Sequence, residues 1–465
     1  MTEIGASRAE NSVLGTPRSA LRRPLSTAGS ALGASLLYGA AAEEKVVLEL
    51  GTSTIRAGFS GDPQPLCAHD VSGDFASTGA MGWRRGTQHG LSTVTLDDAT
   101  LDALVLEQVR DVYRRHLLVD AKARKVALCE SVRLPDRVRR AVARVLLGNL
   151  RVPQVTFYPA EVAALMTCGR TSGLVVDCGH QGAAVVPVYD GRALHAYAER
   201  LRVGGQMLAA HVRGLCVQHA RFRAFGGGDS RPAEPEMITD LLLEHMVRRL
   251  QCAAPLATAP DEFAKLARDG LSLGAVSDEL AARFASHTVG ASAHIRMVVD
   301  SPQHGRGELL VPRWVLGRAT ELLLQGDAAN DHEGLLSAIA RCLARAPVDT
   351  RRELIAHILV VGGVASVPGF RFRLAQELQS RLAGEERWRA LAASVALAEE
   401  PGPWNQSPYL DPEARPESRD KSANGSVFAA ADRCWVGVSL AVAAKIGGVD
   451  MRRDDFDGHS LPRLD

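Results

Sequence analysis

Two stretches of the chain repeat one local pattern that can do chemistry. In VLEL followed by Gly51, an acid, Glu49, stands two residues before a glycine at the end of an apolar run; in LVVD followed by Cys178 and Gly179, Asp177 does the same. Each is followed by a second apolar run, IRAGF in one case and AAVVPVY in the other. A third glycine turn, Gly362-Gly363, follows the apolar run ILVV and precedes a helical pattern. Glycines at strand ends let backbone N–H groups approach and cradle phosphate oxygens, and a carboxylate beside such a turn can organise the water shell of a magnesium ion. For any one turn the plain alternative is a tight hairpin with no ligand, with Glu49 and Asp177 capping hairpin amides. The three in this order, around a repeat, are far more specific.

The elements that must position these turns follow from periodicity. Lys45 to Asp62 reads as a β-hairpin, and about Asp70 to Ser92 as an exposed loop with at most one short strand. Asp97 to His116 carries one apolar helical stripe. Then come a strand at Lys125 to Glu130, a helix opened by Pro135-Asp136 and ending near Leu150, a strand at Gln154 to Tyr158 and a buried helix at Ala160 to Cys168. The return of the opening pattern at Gly173 implies a duplication: two α/β domains with mixed sheets, flanked by helices and facing one another across a cleft. The second half has a Gly/Pro-rich break at 226–236, a helix at 237–252, an irregular stretch at 254–261, helices at 334–345 and 350–357, the strand 358–361 and a helix from Pro368-Gly369 to about Leu382. The expected divisions are a disordered tail at 1–42, a first lobe at 43–172, a second lobe at 173–383, a surface insertion at 399–426, and 427–465, where a helix bearing Trp435 returns to the first lobe.

Composition narrows the function class. The 465 residues carry 54 Lys and Arg against 53 Asp and Glu, a net charge of +1, with 46% hydrophobic and 23% charged residues. That is soluble globular composition, without the basic bias of a nucleic-acid binder. No apolar run approaches the ~18 residues of a membrane-spanning helix, so neither nucleic acid nor membrane insertion is expected. The eight cysteines are scattered with no CxxC pair, which reads as buried thiols in a reducing, cytoplasmic setting, and no metal ligand set is expected. An Arg- and Ser-rich start suits a transit peptide, but Glu3 and Glu10 oppose it, and the tail reading is preferred.

The segments LELGTSTIRAGFSGD, GLVVDCGHQGAAVVPVYDGRAL, ILVVGGVASVPGF and RCWVGVSLA resemble, in order, the two phosphate hairpins, the adenosine-side glycine turn and the C-terminal Trp helix of actin and actin-related proteins. The resemblance runs from Lys45 to about Phe456. It implies the actin-like ATPase fold and makes Gly51, Thr52, Ser53, Arg56, Asp177, Gly179, Gly362 and Gly363 the residues that would hold ATP or ADP with magnesium; a bound and a nucleotide-free cleft both stay open. On the adenine side, Glu244 or Arg248 would face the base, the register leaving the choice open. Within the family, VYRRHLLVDAKARKVALCESVRLPDRVRRAVARVLLGNLRVP with VVDCGHQ and LRVGGQML looks most like the actin-related protein 10 group, at the pointed end of dynactin. The short 70–92 stretch resembles a reduced second subdomain, the region that in conventional actins carries a loop inserted into the neighbouring protomer.

Departures from the family pattern bear on activity. Hydrolysis needs a carboxylate for the magnesium waters, donors on the β- and γ-phosphates and a group that positions the attacking water. Glu49 stands where actins carry Asp, His180 where they carry another Asp, Arg56 where they use Lys, Val364 where they carry a hydroxyl, and Ala160 where the water-orienting Gln falls. His180 also has the bland reading of an ordinary turn residue. Glu161 lies one position on from Ala160, and helix geometry, about 100° per residue, is expected to aim it elsewhere. The expectation is therefore a non-catalytic, cytoskeletal protein whose partners are dynactin's actin-like filament and its other pointed-end subunits, with dynein and microtubule transport reached indirectly. The alternatives are an ATP-hydrolysing relative and a nuclear actin-related subunit of a chromatin-remodelling complex.

Overall fold

Hydrophobic alternation and glycine turns build two mixed sheets around the cleft. A computed structural model describes residues 44–71, 97–227, 229–249, 294–301, 303–327, 331–398 and 428–462. The tail expected at 1–42, nearly all of the 70–92 stretch, the irregular stretch 254–261 and the insertion expected at 399–426 lie outside the described residues. Glu44–Asp465 forms one compact unit.

The first lobe holds β1 (Val46–Leu50), β2 (Thr54–Phe59), β3 (Cys67–Asp70), β4 (Val126–Glu130) and β5 (Gln154–Pro159). The second holds β6 (Gly173–Cys178), β7 (Ala183–Tyr189), β8 (Arg192–Ala193) and β9 (Glu199–Leu201), with the strand Ile358–Val361 returning late in the chain. In the first sheet β1 pairs antiparallel with β2 and parallel with β4; in the second β6 pairs antiparallel with β7 and parallel with the strand Ile358–Val361. The duplication expected from sequence is therefore present as topology: in each lobe an acid-bearing strand lies between its hairpin partner and a parallel neighbour. Its central strands are buried on both faces, as parallel pairing under flanking helices requires.

In the first lobe the flanking helices are α1 (Asp98–Asp111) and α2 (Asp136–Ala143), each prolonged by a wider turn, Val112–Leu117 and Arg144–Asn149. Between the two sheets lie α3 (Ala160–Met166) and, from the C-terminal part of the chain, the helix Arg433–Ala443; they share a core with Val47, Ala127, Val175, Val186 and Val361. Gly437 sets their approach, because a Cβ there would collide with the carbonyl of Ala163. The Arg433–Ala443 helix belongs to the first lobe by its bonds: the fully buried Trp435 donates its indole N–H to Val47 O at 3.0 Å, and Ser439 Oγ donates to Asp62 O. The strand Val449–Arg452 then joins the first sheet along β5.

A second, four-stranded antiparallel sheet in the later half was not foreseen: Arg221–Ala224, Arg231–Pro232, His294–Ser301 and Gly305–Pro312. Its second strand lies inside 226–236, the stretch expected to be a Gly/Pro-rich break. The alternation Ile295, Met297, Val299 against Arg296 and Asp300 carried the signal for the third. The second lobe also runs past residue 383, since Leu397 bridges to Ile358.

Candidate functional site

The β1–β2 turn closes on itself, Gly51 N donating to Thr54 O at 3.0 Å, while Ser53 O accepts from Val71 N. Thr52 Oγ1 is buried with no hydrogen-bond partner among the described residues. Arg56, opposite Glu49 in the hairpin register, points its guanidinium at Asp432 (Nε to Oδ1 2.7 Å) and Glu49 (3.5 Å). Burial raises the Glu49 carboxyl above its ordinary range, against the pull of Arg56.

The β6–β7 turn is closed by Gly179 N donating to Gly182 O, and it is fastened to the start of the helix Gly205–His219, whose Gly205 and Gln206 N–H groups reach Gly179 O and His180 O. Asp177, at 2% exposure, is held by Arg133, whose Nε and Nη2 both donate to Oδ2 at 2.8 and 2.7 Å. Arg133 comes from the loop after β4, in the other lobe. Its guanidinium lies against Gly179, where any Cβ would collide with it. The third turn closes this corner. Gly362 has φ 90°, a conformation that favours glycine, and a side chain there would strike the Cys178 carbonyl and lie 2.9 Å from Asp177 Oδ1. Gly363 opens the short 3-10 turn Gly363–Ser366, with open space beside it.

The structure thus gathers Asp177, Gly179 and Gly362 around Arg133, and sets Glu49 and Arg56 beside Asp432. The expectation that Glu161 points away is corrected. Glu161 is fully buried, its Oε1 accepts from Ser131 Oγ at 3.0 Å and Val132 N at 2.9 Å, and Ser131 Oγ also lies 3.0 Å from Asp177 Oδ2. The 131–133 loop turns towards the α3 N-terminus, so the residue after Ala160 faces it. A hydroxyl carries one proton and can donate to one of two carboxylates only. Burial first, then the Asp177 charge, pushes Glu161 up to about 7, so near neutrality its proton can complete the chain Glu161 to Ser131 to Asp177. Sequence reasoning missed Arg133, Ser131 and Asp432 because their partners lie far away in the chain. Glu244 and Arg248, the adenine-side candidates, pair with each other at 3.0 Å on an exposed face.

The actin family profile matches residues 40–221 and 307–405, more than half of the chain and all three turns. The chain belongs to the actin family. It is 25% identical over 360 residues to actin-like protein 7B of Macaca fascicularis, covering 73% of this chain and 76% of that protein. It is 21% identical over 373 residues to centractin of Saccharomyces cerevisiae (76% and 86%), and 24% identical over 371 residues to an actin-like protein of Neurospora crassa (75% and 86%). The mixed sheets, flanking helices and interlobe helix pair are those of the actin fold.

Adenine nucleotide with magnesium is the family's cofactor, and the fit of these residues to it divides. The unpartnered hydroxyl of Thr52 suits a phosphate. The metal side does not fit: the Asp177 carboxylate is already neutralised by a guanidinium lying on the turn, and among the described residues no three of His, Cys, Asp and Glu converge as metal ligands.

Proposed function

We propose that the protein is a non-catalytic actin-related protein of the actin-related protein 10 group, capping the pointed end of dynactin's actin-like filament in the cytoplasm and so supporting dynein-driven transport on microtubules. The observation that carries the non-catalytic part is Arg133 on Asp177, together with Ala160 in the water-positioning place. A cleft whose metal-side acid is taken by an arginine lacks the means to time a filament by hydrolysis, and a permanent cap needs no such clock. The capping part rests on the likeness of the 112–153 segment and on chain length: 27 residues separate Asp70 from Asp98. A cap must present one protomer face while lacking the face that accepts the next, and a reduced second subdomain supplies that asymmetry. Affinity purification of the tagged full chain is expected to recover dynactin subunits. Recovery of chromatin-remodelling subunits in their place would reverse the reading.

An ATPase reading is favoured by one observation, a buried carboxyl at Glu161 held near the pKa of a general base. One of its oxygens, Oε1, is however committed to Ser131 and Val132, while the other, Oε2, is buried without a partner among the described residues. Single-turnover phosphate release at background level is expected; release that disappears in Glu161→Gln would move the assignment to an enzyme.

A further inference from the structure

Arg133 is placed as no surface ion pair would be. It leaves the first lobe at the end of β4, crosses to the second, and sets two N–H groups on a carboxylate that is 3% exposed while its own side chain stays 24% exposed. Around it are the β6–β7 turn at Gly179 and, through Asp177, the Gly362 turn. The same loop makes a further crossing, Val132 O accepting from Arg200 Nε at 3.0 Å, Arg200 lying on β9 of the second lobe. Ser131 meets both Glu161 and Asp177. Three consecutive residues therefore tie the lobes together at the mouth of the phosphate turns.

We infer that Arg133 replaces the hydrated divalent cation at this cleft: it is the fixed positive charge that joins Asp177 of one lobe to the other lobe, so closure requires neither magnesium nor nucleotide. A planar guanidinium suits this because it delivers two directed N–H bonds to a carboxylate and stays charged at every physiological pH. A metal ion would have to displace it, and Asp177 would have to lose two charge-assisted bonds first. The inference concerns this chain's own residues and holds whatever filament it caps.

The test is thermal unfolding of the full chain in EDTA and in magnesium chloride, each with and without ATP. For the native sequence the midpoint is expected to be the same with magnesium as in EDTA. A ligand that closed the lobes at a hundredfold excess over its Kd would raise it by roughly 3 °C, and such a rise caused by magnesium, either alone or beyond what ATP gives in EDTA, overturns the inference. Arg133→Ala is expected to melt lower in EDTA and to be restored by magnesium chloride but not by sodium chloride of equal ionic strength, because the freed Asp177 then has a cation to recruit. A variant indifferent to magnesium refutes the replacement, since a merely structural arginine would leave that signature. Should Arg133→Ala not fold, calorimetric titration of the native chain decides: ATP binding that requires magnesium overturns the inference, and binding or silence that is identical in EDTA and magnesium upholds it.

Discussion

The two hairpins share one pattern and are neutralised in different ways. In the first, Glu49 meets Arg56 from the strand beside it, and Arg56 in turn meets Asp432 at the start of the C-terminal helix. In the second, Asp177 meets Arg133 from the opposite lobe. One arrangement is local and shared among three groups; the other is a single long-range pair that spans the cleft. The same acid-before-glycine motif thus serves in one lobe as a strut within a sheet and in the other as half of a clasp. The difference teaches that a retained motif residue can change its role through its partner alone.

The sharpest way to break the comparison is to remove each acid in turn. Asp177→Asn keeps the volume but leaves a largely buried guanidinium without its counter-charge, expected to cost about 3 kcal/mol, the low end for a broken buried pair because Arg133 is a quarter exposed. Glu49→Gln is expected to cost about 1 kcal/mol or less, since Arg56 keeps Asp432 at 2.7 Å and burial already favours a neutral group at position 49. Urea unfolding at pH 7.5 measures both. Equal losses would mean that the cross-lobe pair is no more demanding than the local one.

A pH profile sharpens the second site specifically. The Glu161 carboxyl titrates near 7 in the folded chain against 4.5 ordinarily, raised chiefly by burial. The folded state therefore holds a proton that the unfolded chain has lost between those values. On this account stability is full below about 4.5, declines as the pH rises, and levels off above about 7, with a total swing of at most about 3 kcal/mol. Glu161→Gln keeps a neutral group on Ser131 and Val132 and should flatten the profile over that window. A variant as steep as the native chain would place the titration elsewhere.

Much of this was legible in the sequence, and the boundary is physical. The acid-glycine-strand repeat showed both hairpins, and ILVV before Gly362 gave the strand Ile358–Val361 residue for residue, because strands and turns are written in local periodicity. Arg56 was named only through the family resemblance, as a phosphate contact, and its pairing with Glu49 and Asp432 comes from the structure alone. Arg133 was not named, because no spacing in ESVRLPD says that its side chain crosses to residue 177. Glu161 was mis-aimed for a related reason: helix rotation gives its angle relative to Ala160, but what faces that angle is a loop from another strand. The four-stranded antiparallel sheet had a readable alternation, yet its first two strands are separated from its last two by about 60 residues of chain, and register across such a gap is decided by tertiary packing.

The smallest expected effect asks what the first turn has kept. Thr52 Oγ1 is buried without a partner among the described residues, whereas Ser131, its nearest counterpart in chemistry at the second site, bonds two carboxylates. An unpaired buried hydroxyl costs free energy that a methyl of the same shape does not. Thr52→Val should therefore leave the ligand-free chain unchanged or stabilise it by up to about 1 kcal/mol, read as a shift in urea midpoint with an unaltered slope. Repeating the measurement with ATP in EDTA separates the two histories of the site. A stabilisation by ATP that the native chain shows and Thr52→Val lacks would mean that the first hairpin still donates to phosphate even though the second has exchanged its metal for an arginine. ATP that stabilises neither chain would mean that both hairpins have left nucleotide chemistry, and that the hydroxyl is a remnant the fold tolerates.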